Sequence, residues 1–131
     1  MIKKILKPLR VDHWVKNLVL FLGFFFAIFY TKSNFVNFDK LIYGFFILCI
    51  SASSNYLINE FLDRKTDRFH PIKKTRIFAK SNKNKNIFFE YVVLTVVSIC
   101  SSYFINKTFF ILNVTFIFFG ILYNLKPFRL K

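Results

Sequence analysis

Acidic residues are few in this chain: six Asp and Glu stand against twenty Lys and Arg, for a formal net charge of +14. Cysteine, proline and glycine are scarce as well, at two, three and three of 131 residues. The two cysteines, Cys49 and Cys100, fall inside apolar runs without CxxC or Cys/His spacing. That pattern points to buried packing rather than a disulfide or a thiolate metal site. There is no Gly/Ser-rich or Pro-rich linker and no repeat at a fixed short period, so residues 1–131 read as a single domain. What is abundant is apolar: 55% of residues are hydrophobic and 21% aromatic, with a mean hydropathy of +0.44. An ordinary soluble domain does not combine that content with twenty basic residues. The basic charge sits between apolar runs rather than along one soluble face, which argues against nucleic-acid binding. The 21 Phe residues, with many Ile, Asn and Lys, fit an AT-rich genome and carry no function by themselves.

Four apolar runs stand out: Leu18 to Tyr30, extended backward by an amphipathic stretch from Val11, then Leu41 to Ile58, Ile87 to Ile105 and Thr108 to Leu125. The last three have the roughly eighteen or more residues of a spanning helix, and the first does so with its flank. The expectation is an all-α membrane protein with four transmembrane helices, over residues 12–30, 41–60, 87–105 and 108–125. Asn106-Lys107 makes a tight hairpin between the last two. The basic N-terminus and short first run resemble a signal peptide, but no small-x-small cleavage site follows, so the segment reads as a retained helix. Seventeen Lys and Arg lie before the first run, between the second and third, and after the fourth; the two opposite connections carry only Lys32, Lys40 and Lys107. The positive-inside rule then puts both termini and the loop after Asp63 on the cytoplasmic side of the plasma membrane. Trp14 and Tyr123 fall near that boundary, where interfacial aromatics belong.

One segment concentrates the chemistry. In Asn59-Glu60-Phe61-Leu62-Asp63-Arg64-Lys65-Thr66-Asp67, positions 59, 63 and 67 are four residues apart at the end of the second run. On a helix they lie along one face. Two aspartates so placed repel each other unless a cation lies between them. Oxygen donors without a Cys or His cluster suit Mg²⁺, completed by substrate phosphates. The candidate metal ligands are Asn59, Asp63 and Asp67, with Glu60 beside them. Ser51 and Asn55 continue the four-residue spacing back into the membrane. Polar groups there face a bundle interior or a water-filled cavity, so the stripe marks the cavity side of the second helix; bonding of Ser51 and Asn55 to neighbouring helices is the alternative. Arg64, Arg68, Lys73, Lys74 and Arg76 crowd around the carboxylates. Attraction to anionic lipid, about 1 kcal/mol per residue, accounts for most of them. Arg68 and Arg76 are the candidates for bidentate contacts to phosphate. His70-Pro71 ends the helix.

These residues carry a resemblance. Asn59-Glu60-x-x-Asp63-x-x-x-Asp67 resembles the first aspartate-rich motif, N-D-x-x-D-x-x-x-D, of the UbiA family of intramembrane prenyltransferases. Lys7-Pro8-Leu9-Arg10 and His13-Trp14-Val15-Lys16-Asn17 resemble the start of that family's first helix. Asp67-Arg68-Phe69-His70-Pro71-Ile72-Lys73 resembles its D-R-x-H-P-x-K stretch. Together with the W-V-K-N match these motifs look nearest to the polyprenyl-phosphate (decaprenyl-phosphate) phosphoribosyltransferase branch. Tyr123 to Lys131 resembles a signature after the fourth helix, in which either Lys126 or Lys131 fits a phosphate-site lysine.

The resemblance implies a nine-helix bundle of about twice this length, of which the chain would be the N-terminal part, with a second aspartate-rich loop that this sequence lacks. It also implies Mg²⁺-assisted transfer between a diphosphate co-substrate and a polyprenyl phosphate or diphosphate lipid, and phosphoribosyl transfer from phosphoribosyl diphosphate in the nearest branch. Lys16, Arg68, Arg76, Tyr123 and Lys126 become the substrate contacts. Two departures are local: Glu60 replaces the usual Asp, and Arg76-Ile77-Phe78-Ala79-Lys80 replaces a pattern nearer R-P-I-A-S-G. Three readings stay open: part of an enzyme completed by further residues or a second polypeptide, an inactive truncated remnant, or a non-enzymatic membrane protein whose basic loop binds anionic lipid.

Overall fold

The computed structural model describes residues 11–32, 37–67, 69 and 84–125, with every side chain among them except those of Asp12, 64–67 and 84–86. Every regular element among them is helical. A 3-10 segment, Val11–Leu18, runs directly into α1, Val19–Thr31. Then come α2, Phe38–Asp67, α3, Asn84–Tyr103, and α4, Lys107–Asn124. Three stretches are long and apolar enough to cross a bilayer: His13–Thr31, Phe38–Asp63 and Lys107–Asn124. The third expected span is a shorter apolar helix, Ile87–Tyr103. It stops two residues before the expected Ile105 because Phe104 and Ile105 turn the chain. Asn106 then caps α4, its side chain accepting from the Phe109 N–H at 2.7 Å. That cap is what makes the hairpin so tight.

α2 is the centre of the bundle and packs against α3, α4 and the 3-10 segment. At 30 residues it is about 45 Å long, well beyond a hydrocarbon core of about 30 Å. α1 buries no residue and touches α2 through two aromatic pairs, Phe21–Phe45 and Phe24–Phe38. A hollow of about 560 Å³ along its far side is lined by α1 side chains alone, Leu22, Phe25, Phe26, Ile28 and Phe29.

Burial is inverted relative to a soluble protein. Ser51, Ser53, Ser54, Ser98, Ser102, Cys49 and Asn113 are fully enclosed with Ile47 and Leu57, while many Phe, Val and Leu side chains point outward. Small side chains let backbones approach, and lipid takes the place of water around the apolar ones. Ser53 and Ser102 lose little by burial because each hydroxyl donates to a carbonyl one turn back, Cys49 at 2.8 Å and Ile99 at 2.7 Å. At one end Leu57 and Ile87 form an apolar contact flanked by Phe61, Tyr91 and Leu94.

Candidate functional site

Sequence neighbours run antiparallel, as the pairs Trp14–Ser53, Ser51–Ser98 and Tyr103–Phe110 require. The 3-10 segment, the last turns of α2, the start of α3 and the end of α4 therefore meet at one end of the bundle. Asn59 and Glu60 are partly buried there, Asp63 is 5% exposed, and Lys16 and Tyr123 are open to the surroundings. Asp67 is the last residue of α2, but its side chain lies outside the described residues. Arg68, Arg76, Lys126, Lys131 and the His70-Pro71 break lie outside them too.

Beside the end of α2 is a cavity of about 370 Å³. Ala52, Asn55, Tyr56 and Asn59 form its α2 wall; Phe116, Gly120, Tyr123 and Asn124 form the α4 wall; Asn17 closes it from the 3-10 segment. The two walls fit because of Gly120. A Cβ there would fall onto the Asn55 carboxamide, so the absent side chain is what lets Asn55 lie against α4. One turn on, Asn124 donates from Nδ2 to the Gly120 carbonyl at 2.7 Å, which turns its Oδ1 away from that carbonyl. Asn55 Oδ1 and Asn124 Oδ1 are both buried without a hydrogen-bond donor.

The opposite wall is held by the 3-10 segment. Trp14 donates from its indole N–H to Ser53 Oγ at 3.1 Å, Asn17 donates to Cys49 Sγ at 3.3 Å, and His13 packs on Tyr56 with ring centroids 5.3 Å apart. Three residues of 3-10 helix and four of α-helix both rise about 6 Å. Donors at 14 and 17 thus match acceptors at 53 and 49. The indole of Trp14 is engaged with α2, not merely placed near a boundary.

The polar stripe does not share one face over its whole length. Ser51 is fully buried away from the cavity, in a closed ring with α3 and α4. Asn113 Nδ2 donates to Ser98 Oγ at 2.9 Å, Ser98 Oγ and Ser51 Oγ are bonded to each other, and Ser51 Oγ donates to Asn113 Oδ1 at 2.7 Å. Of the two roles open to it, Ser51 has the interhelical one; Asn55 and Asn59 line the cavity. The reason is rotation: four residues turn an α-helix by about 400°, so the stripe drifts about 40° at each step. Sequence reasoning singled out neither Asn113, Asn124 nor Gly120. Asn113 and Asn124 lie in an apolar run at a spacing of eleven, about three helical turns.

In their chemistry, the residues at the end of α2 fit a divalent cation. Asn59 and Asp63 stand one turn apart on unbroken helix, and their donor atoms are oxygens, as a hard ion prefers. Among the described residues no three His, Cys, Asp or Glu side chains come together.

This chain is similar in sequence to known proteins. Over 85 residues, 60% of this chain and 26% of the relative, it is 31% identical to a decaprenyl-phosphate phosphoribosyltransferase of Mycolicibacterium smegmatis. Over 131 residues, 99% of this chain and 24% of the relative, it is 26% identical to an uncharacterised protein of Sinorhizobium fredii. The chain thus spans about a quarter of the length of the curated relatives it matches. The profile of the UbiA prenyltransferase family matches residues 19–131, from α1 to the last residue, and the chain belongs to that family of membrane proteins.

Proposed function

We propose that this chain contributes one metal-and-phosphate half of a UbiA-type active site, and that the reaction is transfer of a phosphoribosyl group from phosphoribosyl diphosphate to a polyprenyl phosphate. The observation that carries the reading is the unbroken helix of α2, whose last turns hold Asn59, at the wall of the cavity, with Glu60 and Asp63 following it. Similarity to the phosphoribosyltransferase from Mycolicibacterium smegmatis supports the choice of branch. Asn59, Asp63 and Asp67 would hold Mg²⁺, with Glu60 reaching it directly or through water. Bound there, the ion would supply positive charge to the diphosphate oxygens as they depart.

The chain's own residues do the rest. Asp63 is withdrawn from solvent, where a carboxylate interacts more strongly with a cation than it would in water. Lys16, Arg68, Arg76 and Lys126 balance phosphate charge, and the Tyr123 hydroxyl donates to a phosphate oxygen at the cavity rim. The polyprenyl chain lies against the apolar flanks of the helices. In this reading residues 1–131 act as one domain, both termini face the cytoplasm across the plasma membrane, and the remaining helices and a second carboxylate set come from polypeptide outside these residues.

The test is phosphoribosyl transfer to polyprenyl phosphate by the chain combined with the other helices, in lipid and with Mg²⁺. Asp63→Asn with Asp67→Asn is expected to cut turnover by at least about a thousandfold, comparable to the loss of one or two charge-stabilising groups. Turnover that persists in the double variant would sink the metal assignment. Anionic-lipid binding as the only measurable property, unchanged by those substitutions, would replace the enzymatic reading with a lipid-binding one.

A further inference from the structure

The 3-10 segment Val11–Leu18 carries three kinds of side chain on three faces. A 3-10 helix has three residues per turn, so side chains three apart eclipse and form columns. Trp14 and Asn17 make one column, and both bond to α2. Val15 and Leu18 make the second; they are apolar and 67% and 48% exposed, as suits side chains turned to lipid. His13 and Lys16 make the third. His13 packs on Tyr56, a residue of the cavity wall, and Asn17 closes the same cavity from the first column. The column that holds Lys16 therefore runs along the flank of the cavity. An α-helix would set positions 13 and 16, and likewise 14 and 17, about 60° out of line, and the three faces would merge.

A single turn of α2 fixes the rotation of the segment. Ser53 Oγ donates to the Cys49 carbonyl at 2.8 Å, which commits its one proton and leaves its oxygen to accept from the Trp14 indole. Cys49 Sγ accepts from Asn17. Ser53 and Cys49 are both fully buried, so the two acceptors are anchored. With only one of these bonds the segment can roll about the other. Attraction of Lys16 to lipid headgroups needs no such device, because a long flexible side chain reaches the interface from any rotation. A phosphate oxygen held beside α2 has one location, and a charge meets it only from the right column.

We infer that Trp14 and Asn17 are positioning residues: their bonds to Ser53 and Cys49 set the rotation of the 3-10 segment so that the Lys16 ammonium meets a phosphate group at the cavity. This deepens the function proposed above and rests on it. The phosphate belongs to the diphosphate co-substrate or to the polyprenyl phosphate, since both offer Lys16 the same anionic oxygens. Ser53 and Cys49 act on the ligand only through the segment.

The experiment uses the full 131-residue chain in lipid nanodiscs with Mg²⁺. Affinity is measured by calorimetry for two probes, inorganic diphosphate and farnesyl phosphate, with empty nanodiscs as reference. Lys16→Met is expected to weaken one probe at least about tenfold, the low end for a hydrogen bond to a charged group. The probe affected identifies the source of the phosphate. Ser53→Ala and Cys49→Ala each weaken that probe about fivefold, whereas Cys49→Ser, which keeps an acceptor for Asn17, stays within about twofold of the unaltered chain. In a Lys16→Met background Ser53→Ala has no further effect, because both act through one contact. A merely structural loss would weaken binding by the same factor in both backgrounds. That result, or a Lys16→Met chain that binds both probes as the unaltered chain does, overturns the inference. An unchanged ¹⁵N carboxamide signal of Asn113 certifies a variant as folded; if Ser53→Ala fails that check, Trp14→Phe removes the donor instead and takes its place in the comparison. Asp63→Asn separates the two readings. Diphosphate binding that needs Asp63, with neither probe needing Lys16, sinks the positioning role alone. If the unaltered chain binds neither probe, the proposed site falls and the positioning role with it.

Discussion

Asn113 is the side chain on which three helices depend. It donates to Ser98 and accepts from Ser51, and its second N–H reaches the Ser98 carbonyl at 3.3 Å. Interhelical hydrogen bonds in membranes average about 0.6 kcal/mol and reach about 1.7. Asn113→Ala is therefore expected to lower bundle stability by about 1–2 kcal/mol, measured by reversible unfolding in bicelles. Ser51→Ala should cost less when Asn113 is already gone, and strictly additive losses would show that the ring does not act as a unit. Gly120 is the second such position. Gly120→Val should exclude Asn55 from the α4 wall, visible as loss of its carboxamide signal from the buried environment with the signal of Asn113 unchanged.

Among the elements, the 3-10 segment and α2 form the most exacting pair. Trp14 is the only tryptophan in the chain, so its fluorescence reads that contact directly. Ser53→Ala removes the acceptor of the indole N–H and is expected to red-shift the emission and raise quenching by acrylamide; an unaltered spectrum would mean that the contact does not hold the segment. Most helices were legible in sequence: the apolar runs gave α1 to α4 within a few residues, and Asn106-Lys107 gave the hairpin. Two things were not. A residue list does not distinguish 3-10 from α-helix, and only the tighter winding brings Trp14 and Asn17 onto the line of Ser53 and Cys49. A four-residue stripe also reads as one face on paper, whereas the drift of an α-helix assigns Ser51 to the packing ring and Asn55 to the cavity. The carboxylates at 63 and 67 stood out in the sequence as acidic charge at the end of an apolar run. Asn124 did not, because its role comes from Gly120 beside it and from a wall on another helix.

For the molecule as a whole, composition already gave the membrane class, and the inverted burial agrees with it: enclosed serines, outward phenylalanines. Orientation is open to a direct test. In a variant with Cys49→Ala and Cys100→Ala, a cysteine at Lys107 should react with a membrane-impermeant maleimide added to intact cells, and one at Lys74 should react only after lysis. The reverse pattern would invert the topology drawn from the basic residues and move the carboxylate end out of the cytoplasm. The Ser51–Ser98–Asn113 ring bears on how such a bundle comes together. Each of α2, α3 and α4 contributes one member, so each can enter the bilayer singly with that polar group as its modest handicap. Sliding any helix by one residue breaks the ring and strips the Asn113 carboxamide of its partners, while Ser51 can still donate to the Ile47 carbonyl, 2.9 Å away on its own helix. The ring is thus a registration mark: hydrocarbon-driven insertion brings the helices to the same depth, and closure of three hydrogen bonds selects the one alignment in which they stay.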